Sequence, residues 1–165
     1  MPKKGPEAKP ESLEQNKDKS KETEPTVKNR VWVVEDSKAI VSSLEMVTDG
    51  MDEEGYDVSY FISGDKAKEE FEKATKEGRT PQLMIVDGEL SRADEISRGA
   101  DLIREIRDIC QEEGMDEPQY CPFSSGYNDE LIDAGADPKL YEMMGGKPPD
   151  IIKFKEVIKS VGDEE

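Results

Sequence analysis

Leu83-Met84-Ile85-Val86, followed at once by Asp87, is the stretch on which the fold class turns. Four consecutive apolar residues with no polar alternation suit a strand covered on both faces, the situation of a parallel sheet flanked by helices. A second such run, Val31-Trp32-Val33-Val34, leads into Glu35-Asp36. Between them Ile40, Leu44, Val47 and Met51 fall on one helical face, Val58 to Ile62 reads as a strand, and Ala67, Phe71 and Ala74 form another helical stripe after the turn and cap Ser63-Gly64-Asp65.

Working toward the C-terminus, the long loop Gly88 to Arg98 precedes a stripe of Leu102, Ile103, Ile106, Ile109 and Cys110. Gln119 to Ser125 reads as a fourth strand despite Pro122 within it, and Asp129 to Ala134 as a short helix. Leu140 to Met144 supplies a fifth strand, and Ile151, Ile152, Phe154, Val157, Ile158 and Val161 a last helix. Five strand-helix units predict a doubly wound, flavodoxin-like α/β fold: a five-stranded parallel sheet in the order 2-1-3-4-5. The switch point then lies between strands 1 and 3, and ligands sit at the carboxyl ends of the strands there.

Composition narrows the function. The chain has 165 residues with 40 acidic, 23 basic and no histidine side chains, a formal charge of −17. Such a surface repels the phosphate backbone, so direct nucleic-acid binding is not expected. Lack of histidine removes the commonest general base and the usual catalytic-zinc ligand, leaving carboxylates, hydroxyls and lysine for any chemistry. Two cysteines, Cys110 and Cys121, form no CxxC motif, which fits a reducing, cytoplasmic setting. No apolar run approaches the roughly 20 residues that span a bilayer, so no membrane partner is expected.

Residues 1–29 form a separate segment, with Met1, Ala8, Leu13 and Val27 as its apolar side chains among prolines and charges of both signs. Such a stretch cannot offset its ordering entropy by burial, and disorder is predicted for it. Residues 30–165 then make one domain. The tail is mildly basic, so the acidity belongs to that domain.

Stacking the strands in the expected order brings Glu35 and Asp36 beside Asp87, with Lys147 after the fifth strand. Crowded carboxylates repel one another unless a cation joins them. Hard oxygen ligands suit Mg²⁺, which takes one or two protein carboxylates plus a phosphate and keeps several waters.

Five motifs carry a resemblance. They are Glu35-Asp36 after the first strand, Asp87 after the third, Gly99-Ala-Asp-Leu-Ile-Arg-Glu-Ile-Arg107 opening the third helix, Ser125-Gly126-Tyr127 after the fourth strand, and Lys147-Pro148 after the fifth. In that order and spacing, the chain from Val31 onward resembles a response-regulator receiver domain, the phosphoacceptor module of two-component signalling. The resemblance implies that Asp87 accepts a phosphoryl group from a histidine kinase or phosphotransfer protein. It makes Glu35, Asp36, Asp87 and the backbone carbonyl of Glu89 the Mg²⁺ ligands. Lys147 and Ser125 then contact phosphoryl oxygens, with Ser124 as the other candidate hydroxyl, and Gly126 leaves room for the group to enter.

A carboxylate nucleophile needs no general base, so the missing histidines are no obstacle. In the same resemblance Glu89 occupies the position that governs access of hydrolytic water. Ser125 also belongs to the switch, and Met144 stands where the family commonly has its switching aromatic residue. Signalling is expected through the face formed by the fourth helix, fifth strand and fifth helix, because the chain ends at Glu165, just past the last helix.

The resemblance makes the chain no enzyme beyond its own phosphorylation and dephosphorylation. Two other readings remain open: a pseudo-receiver that uses the fold for binding without phosphorylation, and a Mg²⁺-dependent aspartyl phosphatase. The phosphatase wants a second aspartate two residues after the nucleophile, where Glu89 stands.

Overall fold

The computed structural model describes residues 29–145 and 150–161. The expected N-terminal extension lies outside the described residues except for Asn29, which opens the first strand. In chain order the elements are β1 (Asn29–Val34), α1 (Lys38–Val47), a 3₁₀ turn (Met51–Glu54), β2 (Tyr56–Phe61), α2 (Gly64–Glu77), β3 (Leu83–Val86), α3 (Gly99–Glu113), β4 (Gln119–Pro122), α4 (Asn128–Ala134), α5 (Pro138–Met144) and α6 (Ile151–Lys159).

All strand pairs are parallel, in the order β2-β1-β3-β4. The period-2 alternation of the two central strands splits the core into two layers. Trp32, Val34, Met84, Val86 and Tyr120 face α2, α3 and α4, sharing a cluster with Phe71, Leu102, Ile103, Ile106 and Leu131. Val31, Val33, Leu83, Ile85 and Cys121 face the other way and share a cluster with Leu44 of α1, Leu140 and Met144 of α5, and Phe154, Val157 and Ile158 of α6. Every residue of Leu83 to Val86 is fully buried, at about 1.5–3 kcal/mol per large apolar side chain.

The doubly wound architecture is as expected, but the fifth strand is not found among the described residues. Leu140 to Met144 is helical, within α5. Local chemistry explains it. Asp137 caps the helix by accepting a hydrogen bond from the Lys139 amide at 2.9 Å, Pro138 sits in the first turn, and Gly145 ends it at φ 79°, a left-handed conformation that favours glycine. Leu140 and Met144, four residues apart, then point the same way into the core.

β4 also ends at Pro122, short of the expected Ser125. Pro122 pairs with Val86, and the next amide, Phe123, donates to the Val86 carbonyl at 3.0 Å. By strand alternation the Pro122 nitrogen lies on the outer edge, where proline has no N–H to offer a fifth strand. The Tyr120 carbonyl on that edge instead accepts from the Asp137 amide at 2.8 Å, just before α5. Met51 leaves the α1 stripe and is buried from the 3₁₀ turn. No helix among the described residues is long and apolar enough to cross a membrane.

Candidate functional site

Backbone bonds that run one residue past the strands fix the carboxyl end of β1 against β2 and that of β3 against β1. Glu35 N donates to the Phe61 carbonyl at 2.9 Å, and Asp87 N donates to the Val34 carbonyl at 3.0 Å. These bonds place the two carboxylates at one edge of the sheet without help from sequence proximity. One oxygen each from Glu35, Asp36 and Asp87 lies within 4.8 Å of the others. Glu35 and Asp87 are buried whereas Asp36 is exposed.

Three carboxylates converging this closely, two of them withdrawn from water, form an oxygen-only donor set suited to a hard divalent cation. Further contacts orient the cluster. Glu35 Oε2 accepts from the Ser37 amide at 3.1 Å, and Ser37, not Asp36, caps α1 with its Oγ 3.3 Å from the Ile40 amide. Asp36 is thereby left at the mouth of the site. The Glu89 amide points at Asp87 Oδ1 over 3.4 Å.

An open cleft of about 450 Å³ covers this cluster, lined by Glu35, Asp36, Asp87, Glu89, Ser124 and Ser125 together with Ser37, Ile40, Leu90, Ser91, Arg92 and Tyr127. Of the residues singled out from sequence, it brings together Glu35, Asp36, Asp87, Glu89, Ser125 and the other candidate hydroxyl, Ser124. The two serines differ. Ser124 is buried and its Oγ accepts from the amides of Gly126 at 3.3 Å and Tyr127 at 3.2 Å, so it shapes the turn after β4; Ser125 is exposed on the cleft wall.

Gly126 does not line the cleft but a neighbouring hollow with Tyr141, and a Cβ built on it would meet no atom within 4 Å. Crowding at the site falls elsewhere. A Cβ at Gly88 would collide with the Tyr127 side chain and reach Ser124 Oγ at 2.8 Å, and one at Gly99 would run into the Asp87 carbonyl. Met144 is wholly buried in α5 instead of at a strand edge. Lys147 and Pro148 lie outside the described residues.

Sequence reasoning passes over Arg92 and gives no role to Arg98, named there only as a loop end, or to Tyr127, named only within a motif. Arg92 reaches Glu89 at 3.5 Å on the rim. The Arg98 guanidinium sits 4.6 Å from the centre of the Tyr127 ring and bonds Glu130 at 3.3 Å, tying the loop after β3 to the loop after β4. The Gly88–Arg98 loop has a glycine at its start and an arginine at its end as its only marks, and neither signals a stacked partner some 30 residues away.

No protein-family model and no curated protein matches the chain. Its backbone is similar to that of several solved receivers. A two-component response regulator of the LuxR family from an Aurantimonas species matches with a TM-score of 0.57 at 17% identity, over 81% of this chain and 84% of that one. A co-crystal structure of the Saccharomyces cerevisiae histidine phosphotransfer protein Ypd1 with the receiver domain of its downstream response regulator Ssk1 gives 0.61 at 16% identity, over 85% and 92%. The phosphorylated cyanobacterial phytochrome response regulator RcpA gives 0.55 at 14% identity, over 82% and 92%. The fold of this chain is the receiver fold.

Proposed function

We propose that this chain is a phosphoacceptor response regulator, in which Asp87 takes a phosphoryl group from the phosphohistidine of a kinase or phosphotransfer protein. The observation that carries this reading is the convergence of Glu35, Asp36 and Asp87 at the switch point of a receiver fold, inside an open cleft. A carboxylate oxygen of Asp87 attacks phosphorus as the P–N bond to the donor imidazole breaks. The leaving imidazole takes its proton from solvent, and an acyl phosphate remains. Hydrolysis later returns the carboxylate and inorganic phosphate.

Glu35, Asp36, Asp87 and the Glu89 carbonyl would hold Mg²⁺, which when bound offsets the negative charge of the phosphoryl oxygens. Ser125 donates its hydroxyl to a phosphoryl oxygen from the cleft wall. Lys147, by resemblance, supplies the cationic contact to another. Glu89 adds a carboxylate at the rim and alters the life of the acyl phosphate by controlling access of hydrolytic water. The output passes to a protein partner over the C-terminal face, in the cytoplasm, where both buried cysteines stay reduced.

A pseudo-receiver is the second reading. Met144 favours it, because it stands where the family commonly has its switching aromatic residue and is buried within a helix instead of at a strand edge. One experiment separates the two. Intact mass after incubation with acetyl phosphate and Mg²⁺ is expected to show one added phosphoryl per chain in the wild type, none in Asp87→Asn, and none after chelation with EDTA. Absence of an Asp87-dependent adduct with both acetyl phosphate and a kinase would establish the pseudo-receiver.

A further inference from the structure

The loop that follows Asp87 is a small hairpin. At its base the Gly99 amide donates to the Gly88 carbonyl at 3.0 Å, Glu89 pairs with Arg98 as an antiparallel bridge, and the Leu90 amide donates to the Ser97 carbonyl at 2.9 Å. One arm carries the cleft residues Glu89, Leu90, Ser91 and Arg92. Its tip is fixed from outside the cleft. Asp65 Oδ1 accepts from the Ile96 amide at 2.9 Å, and its Oδ2 accepts from the Glu95 amide at 3.0 Å, so one carboxylate takes two successive amides.

Asp65 is not used for capping its own helix, because Ser63 Oγ already accepts from the Lys66 amide at 3.1 Å. The neighbouring Gly64 lets the tip come close: a Cβ there would lie 2.5 Å from the Ile96 carbonyl oxygen. Leu90 and Ile96 bury their side chains with Ala67 and Phe71, so the hairpin sits on α2 through apolar contact as well. Apolar contact sets the distance, whereas the paired amide bonds set the angle of the arm.

We propose that Asp65 is a positioning residue of the candidate phosphoryl site: by clamping the tip of the 88–98 hairpin to α2 it holds Glu89 at the carboxylate cluster. The role rests on the phosphoacceptor reading, since it is the Glu89 carbonyl that the clamp would present to the cation. Groups bonded directly to a metal ligand typically change affinity 10- to 100-fold when lost, and Asp65, which acts through the hairpin, belongs at the lower end.

The test uses the full chain as wild type, Asp65→Ala, Asp65→Glu and Gly64→Ala. Mn²⁺ binding is followed by the electron paramagnetic resonance signal of the free ion, adduct formation by mass with acetyl phosphate and Mg²⁺, and folding by the thermal midpoint. Asp65→Ala is expected to weaken Mn²⁺ binding about tenfold and to raise by a similar factor the Mg²⁺ needed for half-maximal phosphorylation. It should also speed amide exchange at Glu95 and Ile96. Asp65→Glu, which keeps both acceptors, should recover part of the loss.

Gly64→Ala leaves the carboxylate intact and displaces the tip, so it should act in the same direction, which keeps the idea testable should Asp65→Ala fold poorly. Mn²⁺ affinity and Mg²⁺ dependence equal to wild type in both alanine variants would overturn the clamp alone. A wild type that neither binds Mn²⁺ nor forms an adduct would overturn the functional reading, and the clamp with it.

Discussion

Along the β2 edge of the sheet, Tyr56, Val58 and Tyr60 are half-buried, Asp57 is exposed, and a phenol bonds across to the residue that caps α1: Tyr60 Oη lies 2.8 Å from Thr48 Oγ1. Along the β4 edge Tyr120, Cys121, Pro122 and Phe123 are all buried, and a helix covers the strand. Both edges must be kept from pairing with other chains. The β2 edge does so with the exposed charge of Asp57. The β4 edge does so with a proline that removes an outward donor, an amide from Asp137 that takes the Tyr120 carbonyl, and α5 laid against the strand. A sheet edge can thus be finished by side chains or by another element, and the second solution makes stability depend on whatever holds that element.

Phe154 of α6 provides the sharpest test of this dependence. It is wholly buried, and its ring centroid lies 6.3 Å from that of Phe123, the residue directly after β4. Phe154→Ala is expected to cost about 3–5 kcal/mol, whereas Val58→Ala on the half-buried β2 edge should cost about 1 kcal/mol. Urea unfolding of the two variants measures the contrast. Equal losses would mean that the helical cover contributes no more than the open edge.

A smaller effect probes how α5 comes to be a helix. Asp137→Ala removes the side-chain cap while leaving the backbone bond to Tyr120 in place, and should cost about 1 kcal/mol in the same assay. If the variant is as stable as wild type, the cap does not select the helix.

This edge also shows where sequence reading stops. The runs at Val31 and Leu83 are decisive because every residue is apolar, which only a strand covered on both faces explains in so short a stretch. Glu35, Asp36 and Asp87 follow from them, since a residue just past a buried strand must emerge at the strand end. Leu140 to Met144 is ambiguous in a way those runs are not. Counting strand-helix units favours a strand, yet Asp137-Pro138, the four-residue spacing of Leu140 and Met144, and Gly145 all favour a helix, and the local signals win. The Asp65 clamp and the Arg98–Tyr127 stack are not legible at all, because each joins residues about 30 positions apart across a loop whose path only the tertiary structure defines.

On the β2 edge the phenol itself gives the finest test. Burial, with a smaller contribution from the nearby Glu45 charge, pushes Tyr60 up to about 12 against the opposing effect of the Thr48 hydroxyl bond. Thr48 Oγ1 also lies 3.1 Å from the Leu44 carbonyl, and either hydroxyl can be the donor in the 2.8 Å pair with Tyr60. A group that holds its proton more tightly when folded stabilises the fold fully below its unfolded value near 10. That contribution is lost as pH rises toward 12. At pH 9, Tyr60→Phe should therefore be less stable than wild type by about 0.5–1.5 kcal/mol, the usual net worth of one hydrogen bond. Between pH 10 and 12 the gap should shrink, because wild type pays a deprotonation penalty that phenylalanine does not. Urea midpoints of both proteins across that range measure it. A gap that stays constant would mean that Tyr60 ionises as freely in the folded chain as in the unfolded one, and that the β2 edge is open to water where the β4 edge is sealed.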